Sequence, residues 1–228
     1  MNGRAFALVV AVLSLPPGPV SAGVVEDCTQ DGDWWLRVRA CTEALDSGRW
    51  EGRRAAWAHS NRAVAFAALG DYISAFDDHD AAVRLDPTDA RARNNKANSH
   101  ADFREYDRAL REYAAALRID PGYLNAYFNR ADVLLNMGRD AEAAADYTVV
   151  IDAVPGLGEA RAGRAAARCR IGDVGGSIED RKAAVELGAL ERAALEAHLA
   201  EKGYLRTSEP ELATLDLALK EWTAAGCP

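Results

Sequence analysis

Lysine is nearly absent from this chain, with four residues against 23 arginines. That ratio fits a GC-rich bacterial genome and says nothing of chemistry. Long apolar runs are also missing. The longest, Ala5 to Leu15, holds eleven residues, whereas a permanent membrane helix needs about 20. Histidine is scarce: His59, His79, His100 and His198 include no pair at the i, i+4 spacing of a helical metal site. No CxxC or Cys/His metal spacing occurs, so a zinc site is not expected. Nor is there a glycine-rich phosphate loop or a nucleophile in a recognisable setting. The expectation is a protein without catalysis, cofactor or metal. A positive surplus is lacking too. The formal charge is −8, which repels nucleic acid and anionic lipid, so neither is an expected partner.

What the N-terminus has is the layout of a secretory signal. Arg4 precedes the apolar run, a Pro-rich break follows, and Val20-Ser21-Ala22 supplies small residues before a cut. Residues 1–22 are therefore read as a signal peptide, and the expected location is periplasmic or secreted. That segment holds one base and no acid, so its removal takes the charge from −8 to −9. All four cysteines, Cys28, Cys41, Cys169 and Cys227, lie beyond the cut. In an exported chain an even number favours disulfides, and four cysteines allow three pairings. Cys28 and Cys41 close a short loop, worth about 3 kcal/mol. Pairing them leaves Cys169 for Cys227. Val25-Glu26-Asp27 before Cys28 does not resemble a lipoprotein processing site.

The central part of the chain repeats itself. Asn61-Arg62-Ala63 returns as Asn95-Lys96-Ala97 and Asn129-Arg130-Ala131, with a weaker echo in Gly163-Arg164-Ala165, always at 34 residues. Asp86-Pro87, Asp120-Pro121 and Val154-Pro155 keep the same period. The units run 56–89, 90–123, 124–157 and 158–189, each reading as two helices and a turn. Small residues recur at Ala63, Ala75 and Ala82, then at Ala97, Ala109 and Ala116. They continue at Ala131 and Ala143, with Val150 in the third place, and at Ala165, Ser177 and Ala184. In the fourth unit Ala189 stands where proline is expected. Sixteen residues after Arg62, Lys96, Arg130 and Arg164 come Asp78, Glu112, Asp146 and Asp180. Antiparallel packing would join them as ion pairs, each worth about 0–1 kcal/mol if exposed, and acting mainly as register marks.

This pattern resembles the tetratricopeptide repeat, in which small residues let paired helices approach and proline closes the second. The resemblance covers residues 56 to 189. It implies an all-α, right-handed solenoid whose first helices line a concave surface. On that face stand Asn61, Asn95 and Asn129, with Trp57, Arg91, Asn94, Asn98, Asn125, Phe128, Asp132 and Asn136. An amide offers one acceptor and two donors, so regularly spaced amides suit the backbone of an extended peptide. Some long members of the family use such an asparagine ladder. The same amides equally suit a bond to a neighbouring helix. The family's carboxylate clamp is not expected. Its lysine, two asparagines, second lysine and arginine correspond here to Asn94, Asn98, Asn129, Glu159 and Gly163, and Glu159 would repel a carboxylate.

Atypical ends are expected of a solenoid. Residues 23–55 are read as an N-terminal cap, with one helix opening at Asp33-Trp34-Trp35 and carrying Trp34, Val38, Cys41 and Leu45 on one stripe. In register it is the second helix of an incomplete unit. Residues 190–228 are read as a C-terminal helical cap. One helix runs from Leu190 to Lys202, and another begins at Ser208-Glu209-Pro210 with Leu212, Leu215, Leu219 and Trp222 on one face. LEAHLAEKGYL and LALKEW faintly resemble a small peptidoglycan-binding module, which implies a glycan contact as the alternative role. His79 occupies a large core position and is read as packed. The functional expectation is a protein- or peptide-binding scaffold of the bacterial cell envelope.

Overall fold

A computed structural model describes residues 22–30, 32–190, 192–203, 218–222 and 225. The proposed signal segment, up to residue 21, lies outside them, as do Cys227 and the expected start of the last helix at Ser208. Among the described residues every regular element is helical. Five hairpins follow one another: α1 (Ala22–Thr29) with α2 (Trp34–Asp46), α3 (Ala56–Ala68) with α4 (Tyr72–Leu85), α5 (Ala90–Asp102) with α6 (Tyr106–Ile119), α7 (Leu124–Asn136) with α8 (Asp140–Ala153), and α9 (Gly158–Arg170) with α10 (Val174–Glu186). Helix α11 (Arg192–Glu201) comes next, and helical residues 218–222 pack with it. First helices begin at Ala22, Ala56, Ala90, Leu124, Gly158 and Arg192, a constant step of 34.

That constancy changes the picture of the ends. The N-terminal segment contributes a hairpin rather than a lone helix. Its first helix, α1, opens in register and is joined to α2 by the Cys28–Cys41 disulfide, with Cα atoms 4.8 Å apart. At the other end Ile178, Leu195, Leu199, Leu219 and Trp222 form one buried cluster. Leu219 and Trp222 thus bury the far part of the expected stripe; Leu212 and Leu215 lie outside the described residues. Cys169 is disulfide-bonded, and Cys227, assigned to it from the sequence, is likewise outside.

Close helix packing follows from the small residues. Ala63, Ala97, Ala131 and Ala165 are fully buried, as are Ala75, Ala109, Ala143 and Ser177. At these points the backbones approach without a side chain between them, and enlarging any of them would force the pair apart. Glycine ends three of the first helices in the left-handed region, at Gly70, Gly138 and Gly172, with φ of 81°, 73° and 81°. The second unit puts Arg104 there, at φ 59°.

All four expected ion pairs form. Arg62–Asp78, Arg130–Asp146 and Arg164–Asp180 close at 2.7 Å, and Lys96–Glu112 at 2.9 Å. They are not surface pairs: Asp78, Asp146 and Asp180 are 5%, 6% and 1% exposed. Removing one member would strand a buried charge, at a cost of about 3 kcal/mol or more. The bases also reach the preceding hairpin. Arg62 donates to Thr42, Lys96 pairs with Asp80 and Arg164 donates to Thr148. Arg130 meets Ala114 at the place held by Asp80 and Thr148. A cleft of about 380 Å³ opens there between Leu110, Ala114, Arg130 and Leu134.

Candidate functional site on the inner faces of helices α5 and α7

The repeated asparagines point along the solenoid. Asn61 accepts from Arg37 Nη2 at 2.8 Å. Asn95 donates to Ser60 Oγ, and Asn129 to Asn94 Oδ1, each at 3.2 Å. Every bond reaches the preceding hairpin, and Asn94 itself is buried. The fold therefore does not present a free ladder of three amides. One half of each amide is spent on stacking hairpins, the bond to a neighbouring helix that the sequence equally allowed for Asn61, Asn94 and Asn95.

The fourth unit shows why its triplet begins with glycine. A Cβ on Gly163 would lie 2.4 Å from Tyr147 Cζ. The matching acceptor position in the preceding helix holds Phe128, half-buried and edge-on to Tyr147 with centroids 5.8 Å apart. Donor and acceptor have been lost together, and aromatic packing replaces the bond. Phe128 is thus a packing residue.

The remaining inner-face residues fall into two groups. Arg91, Asn125 and Asn136 are exposed. Asn98 and Asp132, one repeat apart, sit at the mouths of two buried tyrosines. Asn98 accepts from the Tyr113 hydroxyl at 2.7 Å, and Asp132 from the Tyr147 hydroxyl. Four residues read from the sequence, Asn98, Asn129, Asp132 and Asn136, line a single cleft of about 370 Å³. Asp102, Tyr106 and Tyr113 line it as well and were not foreseen. Register could have found Asp102, which follows Asn98 by one helical turn and stands where the next unit has Asn136. Burial raises the carboxyl pKa of both Asp102 and Asp132, for Asp132 against the opposing hydrogen bond from Tyr147. Burial, with the charges of Asp102 and Asp132, pushes the Tyr113 phenol up as well.

Glu159 is exposed, and Gly163 is packed under Tyr147, so neither supplies a cation of a carboxylate clamp. His79 is fully buried, its Nε2 lying 2.8 Å from Ser99 Oγ. Trp34 is half-buried beneath Arg37, whereas its neighbour Trp35 is 71% exposed. Among the described residues no helix is long and apolar enough to cross a membrane. Within the same residues, no three His, Cys, Asp or Glu side chains converge as metal ligands.

Residues 124–153 match a family model described as tetratricopeptide repeat. Among solved structures, one crystal structure of MamA is 21% identical, covers 69% of this chain and 90% of its own, and superposes with a TM-score of 0.60. A second MamA crystal structure, 19% identical, covers 84% of this chain and 98% of its own, also at 0.60. MamA from residue 41 onward, from Desulfovibrio magneticus RS-1, is 18% identical over 75% of this chain and 94% of its own, at 0.62. At such identities the likeness is one of fold. No curated protein matches the chain. Repeat and fold together define a tetratricopeptide-repeat α-solenoid. Residues 124–153 carry that repeat by sequence, and the remaining hairpins share its fold.

Proposed function

We propose that this protein is a non-enzymatic scaffold of the bacterial cell envelope that holds an extended segment of a partner protein on the inner face of α5 and α7. The observation that carries the reading is the cleft of about 370 Å³ spanning two successive repeats, into which Asn98, Asn129, Asp132 and Asn136 converge. Stacked hairpins hold those side chains on rigid helices, and their amides and carboxylates offer more acceptors than the fold consumes. The signal-like N-terminus and the Cys28–Cys41 disulfide support an oxidising compartment.

Selection of displayed random peptides on the full chain, followed by titration of the selected peptides, tests this reading. Asn125→Trp and Asn136→Trp place bulk on exposed inner-face positions without touching the core. Each is expected to weaken binding about tenfold or more, by removing contacts worth at least 1.4 kcal/mol, with an unchanged circular dichroism spectrum. Selected peptides that bind both variants as tightly as the parent would move the binding site off this face.

A further inference from the structure

Every carboxylate that joins the two helices of a central repeat, Asp78, Glu112, Asp146 and Asp180, has a base within 2.9 Å. The inner-face cleft breaks that rule. Asp102 and Asp132 line it from α5 and α7, and among the described residues neither has a cationic partner. Tyr113 lines the same cleft, and its hydroxyl feels both charges. Asp132 is already oriented by the hydroxyl of Tyr147. Asn98 accepts from Tyr113 at 2.7 Å and faces the same space. The cleft therefore offers two negative charges, Asp132 half-buried and Asp102 more open, among neutral acceptors, with no fixed positive charge in its lining.

We infer that this cleft receives the lysine or arginine side chain of the bound segment, an inference that rests on the inner face being the binding face. Ammonium and guanidinium groups only donate hydrogen bonds, so they match a lining rich in acceptors. An acidic side chain would meet two carboxylates at close range. An apolar one would bury them further without a partner, which costs free energy that a cation recovers. Charge complementarity thus selects one occupant, and the chain's net charge of −8 favours its approach.

The repeats supply their own control substitutions. Asp132→Asn copies the neighbouring unit, where Asn98 takes the tyrosine hydroxyl, and Asp102→Asn copies Asn136. Both variants keep the shape and remove one charge. Peptides selected on the parent protein are expected to share a lysine or arginine at one position. The double variant D102N/D132N should bind them about tenfold or more weakly, the loss expected when charge-assisted hydrogen bonds become neutral. Replacing that basic residue by norleucine should remove the difference between parent and variant. Selected peptides that lose affinity to Asn136→Trp yet show no basic residue, or bind the double variant unchanged, would overturn the cation assignment and leave the groove standing. Peptides indifferent to Asn136→Trp would overturn both. Calcium chloride alone giving a saturable binding heat that the double variant abolishes would overturn it in favour of a metal.

Discussion

Arg104 and His79 each stand where the chain has set a different residue in other repeats, and each leaves a measurable mark. Arg104 holds the left-handed turn that glycine holds at 70, 138 and 172. A side chain there costs about 1 kcal/mol or more, partly offset by the greater freedom of glycine in the unfolded chain. Arg104→Gly is expected to raise stability by about 0.5 kcal/mol, read as a higher urea midpoint. A lower midpoint would mean that Arg104 makes a contact outweighing its backbone strain. His79 takes the place of Tyr113 and Tyr147 but is sealed in, and burial lowers its pKa from 6.5 to about 4. Above pH 6.5 the imidazole is neutral in both folded and unfolded chains. As pH falls from 6.5 toward 4 only the unfolded chain takes the proton, so stability is lost across that window and the loss levels off below it. The full effect is at most on the order of 3 kcal/mol. His79→Leu should flatten the stability profile between those pH values, and an unchanged slope would assign it to other groups.

At the scale of elements, the helix pairs were legible because their determinants lie in the chain at fixed offsets. The sixteen-residue step from Arg62 to Asp78 is a crossing contact written into sequence. So are the fully buried alanines at 63, 97, 131 and 165. Helix α1 was not legible. Its AGVVEDCT carries two adjacent valines, and eight residues do not hold a helix without a partner. Packing on α2 and the disulfide supply what propensity lacks. The direction of the asparagines was hidden for a related reason. Whether an amide turns to solvent or to the preceding hairpin depends on the residue 35 positions earlier, Ser60 for Asn95 and Asn94 for Asn129. Gly163 tests that view of coupled positions. Gly163→Ala places a methyl group against the Tyr147 ring and is expected to cost about 1–3 kcal/mol. The paired change Gly163→Ala with Tyr147→Phe should recover part of that loss in urea titrations, because the hydroxyl is among the closest atoms. Equal stabilities of parent and Gly163→Ala would show that the two helices sit further apart than described.

Taken whole, the molecule is a stack in which side-chain chemistry changes from unit to unit while the backbone repeats. Position 98 in the second repeat is Asn and its counterpart in the third is Asp132; position 102 is Asp and its counterpart is Asn136. The acidic cleft arises from that exchange between two otherwise alike units. Sequence reading gathered Asn98, Asn129, Asp132 and Asn136 onto one face but passed over Asp102. A single exposed aspartate near a helix end looks like solvated surface until the fold sets it across from Asp132. The most direct measurement is photo-crosslinking of a selected peptide with a small diazirine side chain, no larger than leucine, installed in place of Asn136 or, on a different helix, of Ile73, which is 81% exposed. Crosslinking from position 136 and not from position 73 is the predicted result. Crosslinking from position 73 alone would contradict the inner-face account.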